Sequence, residues 1–222
     1  MKPRFCFYLL LALALVSPTA FAASKGSKPS KPVMDEGRLE RAWFSPEAEF
    51  REGEDVDYLW VTPGFEFDGK SLHFVAWPKP KFIGEDAEER DGKDMRLANE
   101  MSENMAEIWK DSFDHVYGDR VTTSLESGDI KVEGRIVDCS TGNEAAKFWV
   151  GMGAGSGSTT YDVRFVDAKS GQVLAGIHHR SVSASTWDTT EERMLEGVEE
   201  VLYELAEKGV QKVYDKGDKK RD

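Results

Sequence analysis

The chain has 222 residues, 41 of them acidic against 29 basic, which gives a formal charge of −12, and it holds two cysteines. That balance excludes nucleic acid and anionic lipid as main partners, because no basic cluster is large enough to neutralise a row of phosphates. The length suits one substantial core, and two cysteines exclude a disulfide-built mini-domain.

Lys2 and Arg4 precede an unbroken apolar run from Phe5 to Val16, and Ser17, Pro18 and the small-residue site Ala20-Phe21-Ala22 follow. This is the layout of a secretory signal peptide over residues 1–22. At about 1.5 Å per residue the run reaches roughly 18 Å, short of the ~30 Å hydrocarbon core, so no membrane span is expected. Cleavage after Ala22 removes Lys2, Arg4 and Cys6, leaving a charge of −14 and Cys139 as the sole cysteine. The expected product is exported, periplasmic or envelope-associated, and soluble.

Residues 23–37, with Pro29, Pro32 and three lysines, have linker composition. A domain over 38–216 follows, and 217–222 read as a polar tail. Arg38 to Val56 is charged and irregular, with Trp43, Phe44 and Phe50 as isolated anchors. Tyr58–Val61 and Ser71–Trp77 are β-favouring runs separated by turn residues, and Pro78 and Pro80 end the second. From about Glu88 to Val116, Leu97, Met101, Met105, Ile108 and Trp109 recur at helical spacing, which predicts an amphipathic helix. Ile130, Val132 and Ile136 alternate with Lys131, Glu133 and Arg135, predicting a strand with one face on a core and one in water. Tyr161–Phe165 repeats that pattern, and Ala168-Lys169-Ser170-Gly171 turns it into a strand over Gln172–Val182. Thr189 with Glu192 forms a capping box ahead of one long helix whose stripe runs from Met194 through Val213.

The predicted fold is α+β: a single domain in the order ββαβββα, with a mainly antiparallel five-stranded sheet and two helices on one face. No internal repeat alters it.

The most unusual segment is Gly151-Met152-Gly153-Ala154-Gly155-Ser156-Gly157. If extended, Gly151, Gly153, Gly155 and Gly157 share one side-chain-free face, suited to close packing of a helix or to a ligand or partner backbone. A dinucleotide fingerprint fits poorly, since the run leads into a β-pattern and not a helix. Ser156 and Ser158 lack the G-x-S-x-G context of a hydrolase nucleophile. His178 and His179 are neighbours on a strand and point to opposite faces, with His73 placed to meet either across a sheet. The acidic stretches Glu52–Asp57 and Glu85–Asp94 lack calcium-loop register. Trp187, in a loop ahead of the last helix, suits contact with a partner. Cys139 reads as a small buried or half-buried side chain at a strand end, with a reactive or intermolecular role as the alternative.

Gly134 to Val182, with its glycine run, the alternating Tyr-Asp-Val-Arg-Phe-Val-Asp and the turn Asp167-Ala168-Lys169-Ser170-Gly171, is similar to an exported bacterial family known as domain of unknown function 4410. The resemblance implies a bacterial envelope location, often as a lipoprotein, and no reaction, ligand or catalytic residue. The absence of a lipobox cysteine departs from it.

The functional expectation is a non-enzymatic periplasmic or cell-envelope interaction module with an envelope protein partner, no cofactor and no metal. The alternative is a small-ligand binder or hydrolase sited near Gly151–Gly157.

Overall fold

The computed structural model describes residues 38–84, 87–141, 157–182 and 190–219. Eight strands form one mixed sheet: β1 (Arg51–Glu52), β2 (Tyr58–Val61), β3 (Ser71–Phe74), β4 (Thr122–Ser124), β5 (Ile130–Ser140), β6 (Ser158–Asp167), β7 (Val173–Val182) and β8 (Asp218–Lys219). Their spatial order is β4-β3-β5-β6-β7-β2-β1-β8. The helices are α1 (Arg41–Phe44), α2 (Gly92–Tyr117), α3 (Thr190–Lys208) and α4 (Val210–Lys216).

The α+β class and the five longer strands follow the sequence patterns, but the sheet departs from five antiparallel strands. β3 lies parallel to both β5 and β4. The cause is α2, which carries the chain from the end of β3 back to its start, so the next strands run the same way. β1, β4 and β8 are two or three residues long, too short to show an alternating pattern.

One face of the sheet carries the main core. Leu59, Leu72, Val132, Ile136, Tyr161, Val163, Phe165 and Ile177 pack with Met101, Met105, Trp109 and Phe113 of α2 and with Val198, Val201, Leu202 and Leu205 of α3. α2 forms because its apolar residues fall at i, i+4, i+7 and i+8, and because Asp91 caps it, accepting from the N–H groups of Lys93 and Asp94 while Asp94 accepts from that of Asp91. The single terminal helix predicted from Met194 to Val213 is two helices. Gly209 at φ +84° interrupts it, a left-handed conformation in which glycine carries no side-chain penalty. Its predicted cap pair falls at Thr189, outside the described residues, and at Glu192, whose backbone alone is described.

The opposite face is not left to water as the alternation implied. Residues 38–50 lie across it as a strap, burying Phe44, Ala48 and Phe50 against Tyr58 and Trp60 in a second apolar cluster. Gly176 of β7 makes room: a Cβ there would stand 2.5 Å from Phe44 Cδ1. On the core face Gly134 of β5 does the same for Trp77, whose indole occupies the space of the missing side chain. Two strand glycines thus allow close packing, at positions set within ordinary alternation.

Candidate functional site

The outer face, under the strap, gathers the charged side chains of the middle strands. β5, β6 and β7 pair in register Arg135↔Asp162 and Asp162↔His178, so these three side chains stand in one row on one face. Asp162 and His178 are both 0% exposed. Asp162 accepts a 2.8 Å hydrogen bond from Arg135 Nε and holds His178 Nδ1 at 2.5 Å. Arg135 Nη2 also stands 2.7 Å from Asp162, an ion-pair contact outside hydrogen-bond angle. A buried carboxylate costs several kcal/mol to desolvate unless so paired, and here two donors supply the compensation.

The network continues into the strap. Arg135 Nη1 reaches Glu40 Oε2 at 2.7 Å. Two guanidiniums stack on Trp43, Arg135 at 4.5 Å and Arg164 at 4.4 Å from its ring centroid. Arg164 donates to the Trp43 carbonyl at 2.5 Å and to Glu133 at 2.8 Å. Nearer the end of the sheet a bulge at Val137 shifts the register, sending Asp138 to this face while Cys139 stays on the core side. Asp138 takes a two-pronged bond from Arg90, at 2.7 and 2.9 Å, and Arg38 Nε stands 3.4 Å away.

Chemically the Asp162–His178 pair has the make-up of an orienting acid and a base, but His178 Nε2 is buried, without a hydrogen-bond partner, and its ring sits edge-on to Tyr58. A general base must reach the proton it removes. With the strap in place this pair is a structural element. Its neighbour His179 points to the core face, 2.9 Å from Asp57 and packed against Tyr161. The opposite orientation of the two histidines is as expected; the meeting with His73 is not, because β3 is separated from β7 by β5 and β6. Among the described residues no three metal-ligating side chains converge.

A second polar cluster lies at the far edge. Glu204 of α3 accepts from the N–H groups of Glu54, Asp55 and Val56 at 2.7–3.2 Å and is approached by Lys208 at 3.3 Å, tying the turn before β2 to the helix. Beside it runs a groove of about 510 Å³ lined by Glu52, Glu54, Lys208, Lys212 and Lys216 among others. Carboxylates and ammoniums both line it, so no single charge of ligand is favoured. Glu52–Asp57 is therefore in part a turn anchored by Glu204, and Asp91 and Asp94 of the other acidic stretch cap α2.

Cys139 is fully enclosed, in contact with Thr159 Oγ1 at 3.6 Å. Burial is the largest influence on its thiol and pushes it up to about 11, with Asp94 and Asp138 adding to the effect against the Thr159 bond. So little thiolate forms at neutral pH that the side chain is inert.

Gly151, Gly153, Gly155 and Trp187 lie outside the described residues. Gly157 is described, half-buried and one residue ahead of β6. The strand ends to which these segments connect are adjacent: Ser140 pairs with Ser158, and Ser158 with Val182. Val182, 49% exposed, is one of three exposed large apolar side chains among the described residues. What the sequence patterns did not reveal is the outer network, since Asp162 and Arg135 occupy positions that alternation assigns to water. The one available signal was Glu40-x-x-Trp43-Phe44, an acidic and aromatic cluster in a segment with no periodicity.

Residues 65–186 match the model of the family described as Domain of unknown function (DUF4410), and the chain belongs to that family. The matched stretch contains α2 and β3 to β7, and excludes the strap. None of the curated proteins matches. Among solved structures the chain is similar to a PelC dodecamer from Paraburkholderia phytofirmans, at 10% identity over 65% of this chain and 96% of that one, with a TM-score of 0.43. It is also similar to a DUF330 protein from Xanthomonas campestris, at 12% identity over 70% and 90% of the two chains, with a TM-score of 0.36.

Proposed function

We propose that this DUF4410 protein is an exported, non-enzymatic interaction module of the bacterial cell envelope, and that it meets an envelope protein partner at the end of the sheet to which Gly151–Gly157 and Trp187 connect. The observation that carries this reading is the register Ser140↔Ser158↔Val182, which brings the departure points of both segments side by side. A tryptophan is a good anchor for a partner, because it offers a large apolar area at low entropic cost. Export rests on the signal at residues 1–22 and its Ala20-Phe21-Ala22 site. No helix among the described residues is long and apolar enough to cross a membrane.

A photo-crosslinking amino acid at position 187, with a control at exposed Glu126, tests the contact in intact cells. The expected result is an envelope protein captured from 187 and not from 126, on a mature chain starting at Ala23. A chain retaining Met1 in the cytosol would remove the basis for export. Equal capture at both positions, together with turnover of an ester or glycan, would favour the small-ligand or hydrolase alternative.

A further inference from the structure

The outer face and its strap carry an inference independent of the sheet-end contact. The strap's backbone hydrogen bonds include local ones, Trp43 N–H to the Glu40 carbonyl, Ser45 to Arg41 and Ala48 to Ser45. Its grip on the sheet includes Glu40 on Arg135, the Trp43 ring against Arg135 and Arg164, the Trp43 carbonyl on Arg164, Phe44 over Gly176, Arg38 on Asp138, and Ala48 and Phe50 packed with Tyr58 and Trp60. The receiving groups, in contrast, are held by the sheet itself. Asp162 fixes Arg135, Glu133 fixes Arg164, and the floor at Gly176 is backbone. A surface whose guanidiniums are already oriented by their own carboxylates keeps its shape when the covering segment leaves, and such preorganisation favours rebinding.

We infer that the outer face between β2 and β5 is a docking groove for a peptide segment carrying a carboxylate three residues ahead of a tryptophan–phenylalanine pair, and that residues 38–50 occupy it as a resident strap which a partner segment of that chemistry displaces. The charge pattern selects this occupant. Two guanidiniums meet the aromatic ring, and cation–π contact strengthens as water is excluded, so an aromatic side chain is favoured there over an aliphatic one. Arg135 Nη1, bonded to Glu40 while the strap is seated, passes to an incoming carboxylate in a charge-assisted bond when the strap leaves.

The test uses the full chain carrying Trp43→Ala and a fluorescent peptide spanning residues 38–50. The peptide should bind the variant at least tenfold more tightly than the unaltered chain, and a peptide with Glu40→Lys should lose at least tenfold. Failure to bind, or equal binding of the charge-reversed peptide, overturns the proposal. Native-state hydrogen exchange on the unaltered protein gives a second reading. The amides of Trp43, Ser45 and Ala48 should exchange at least tenfold faster than those of Leu59, Val163 and Ile177, because the strap opens without the sheet. Equal rates, or a Trp43→Ala chain that no longer folds, would make the strap part of one cooperative unit and overturn it as well.

Discussion

The two faces of the sheet are buried by different physics. On the inner face aliphatic and aromatic side chains meet α2 and α3 through many small, non-directional contacts, so a lost contact is shared among neighbours. On the outer face a few charged groups meet in fixed geometry: Asp162 with Arg135 and His178, Arg135 with Glu40, and both guanidiniums with Trp43. Removing one partner there strands the others without water. The inner face should therefore tolerate changes of shape at constant volume, and the outer face should tolerate almost none.

Substitutions that separate the faces make this measurable. Asp162→Ala should have the largest effect, about 3–5 kcal/mol in denaturant unfolding, because it takes the buried carboxylate from between Arg135 and His178 and leaves Glu40 as the carboxylate on Arg135. Next comes Gly176→Val, which drives a branched side chain into Phe44; overpacking of this kind costs about 1–3 kcal/mol and should loosen the strap first. The matching change on the inner face, Met105→Leu, should cost below about 1.5 kcal/mol, since volume and polarity are nearly kept. A larger loss at Met105 than at Asp162 would break the contrast.

The smallest effect is confined to acid. Burial pulls the Asp94 carboxyl upward, but the backbone N–H groups of Thr141 and Asp91, the Thr141 hydroxyl and Arg90 outweigh it, so it lies below the ordinary carboxylate value. A group held low in the fold stabilises above its unfolded value, near ~3.9, and loses that contribution as pH falls through the folded value. Asp94→Asn should thus flatten the decline of stability below about pH 4, read as the pH dependence of the unfolding midpoint, with a smaller change in slope at neutral pH.

These contrasts also explain how much was legible in the residues. α2 and the five longer strands were, because periodicity records which side meets a core. Parallel β3 was not, since direction is set by the crossover through α2 and leaves no mark in alternation. The break at Gly209 was hidden by an apolar stripe that continues through it to Val213. The outer face was misread for a physical reason: Arg135, Asp162 and Arg164 have the polarity of solvent-facing positions, and only a distant segment, residues 38–50, turns that surface into an interior. Of the candidate site, the opposite orientation of His178 and His179 and the burial of Cys139 were readable, whereas the packing glycines Gly134 and Gly176 stand singly among side chains that draw more notice.

The most direct test of the outer network is a double-mutant cycle between Trp43→Ala and Asp162→Ala, followed by chemical denaturation. Both residues contact Arg135, so a single network predicts a coupling energy above about 0.5 kcal/mol. Additivity within about 0.3 kcal/mol would mean that strap and buried carboxylate act separately, contradicting the account.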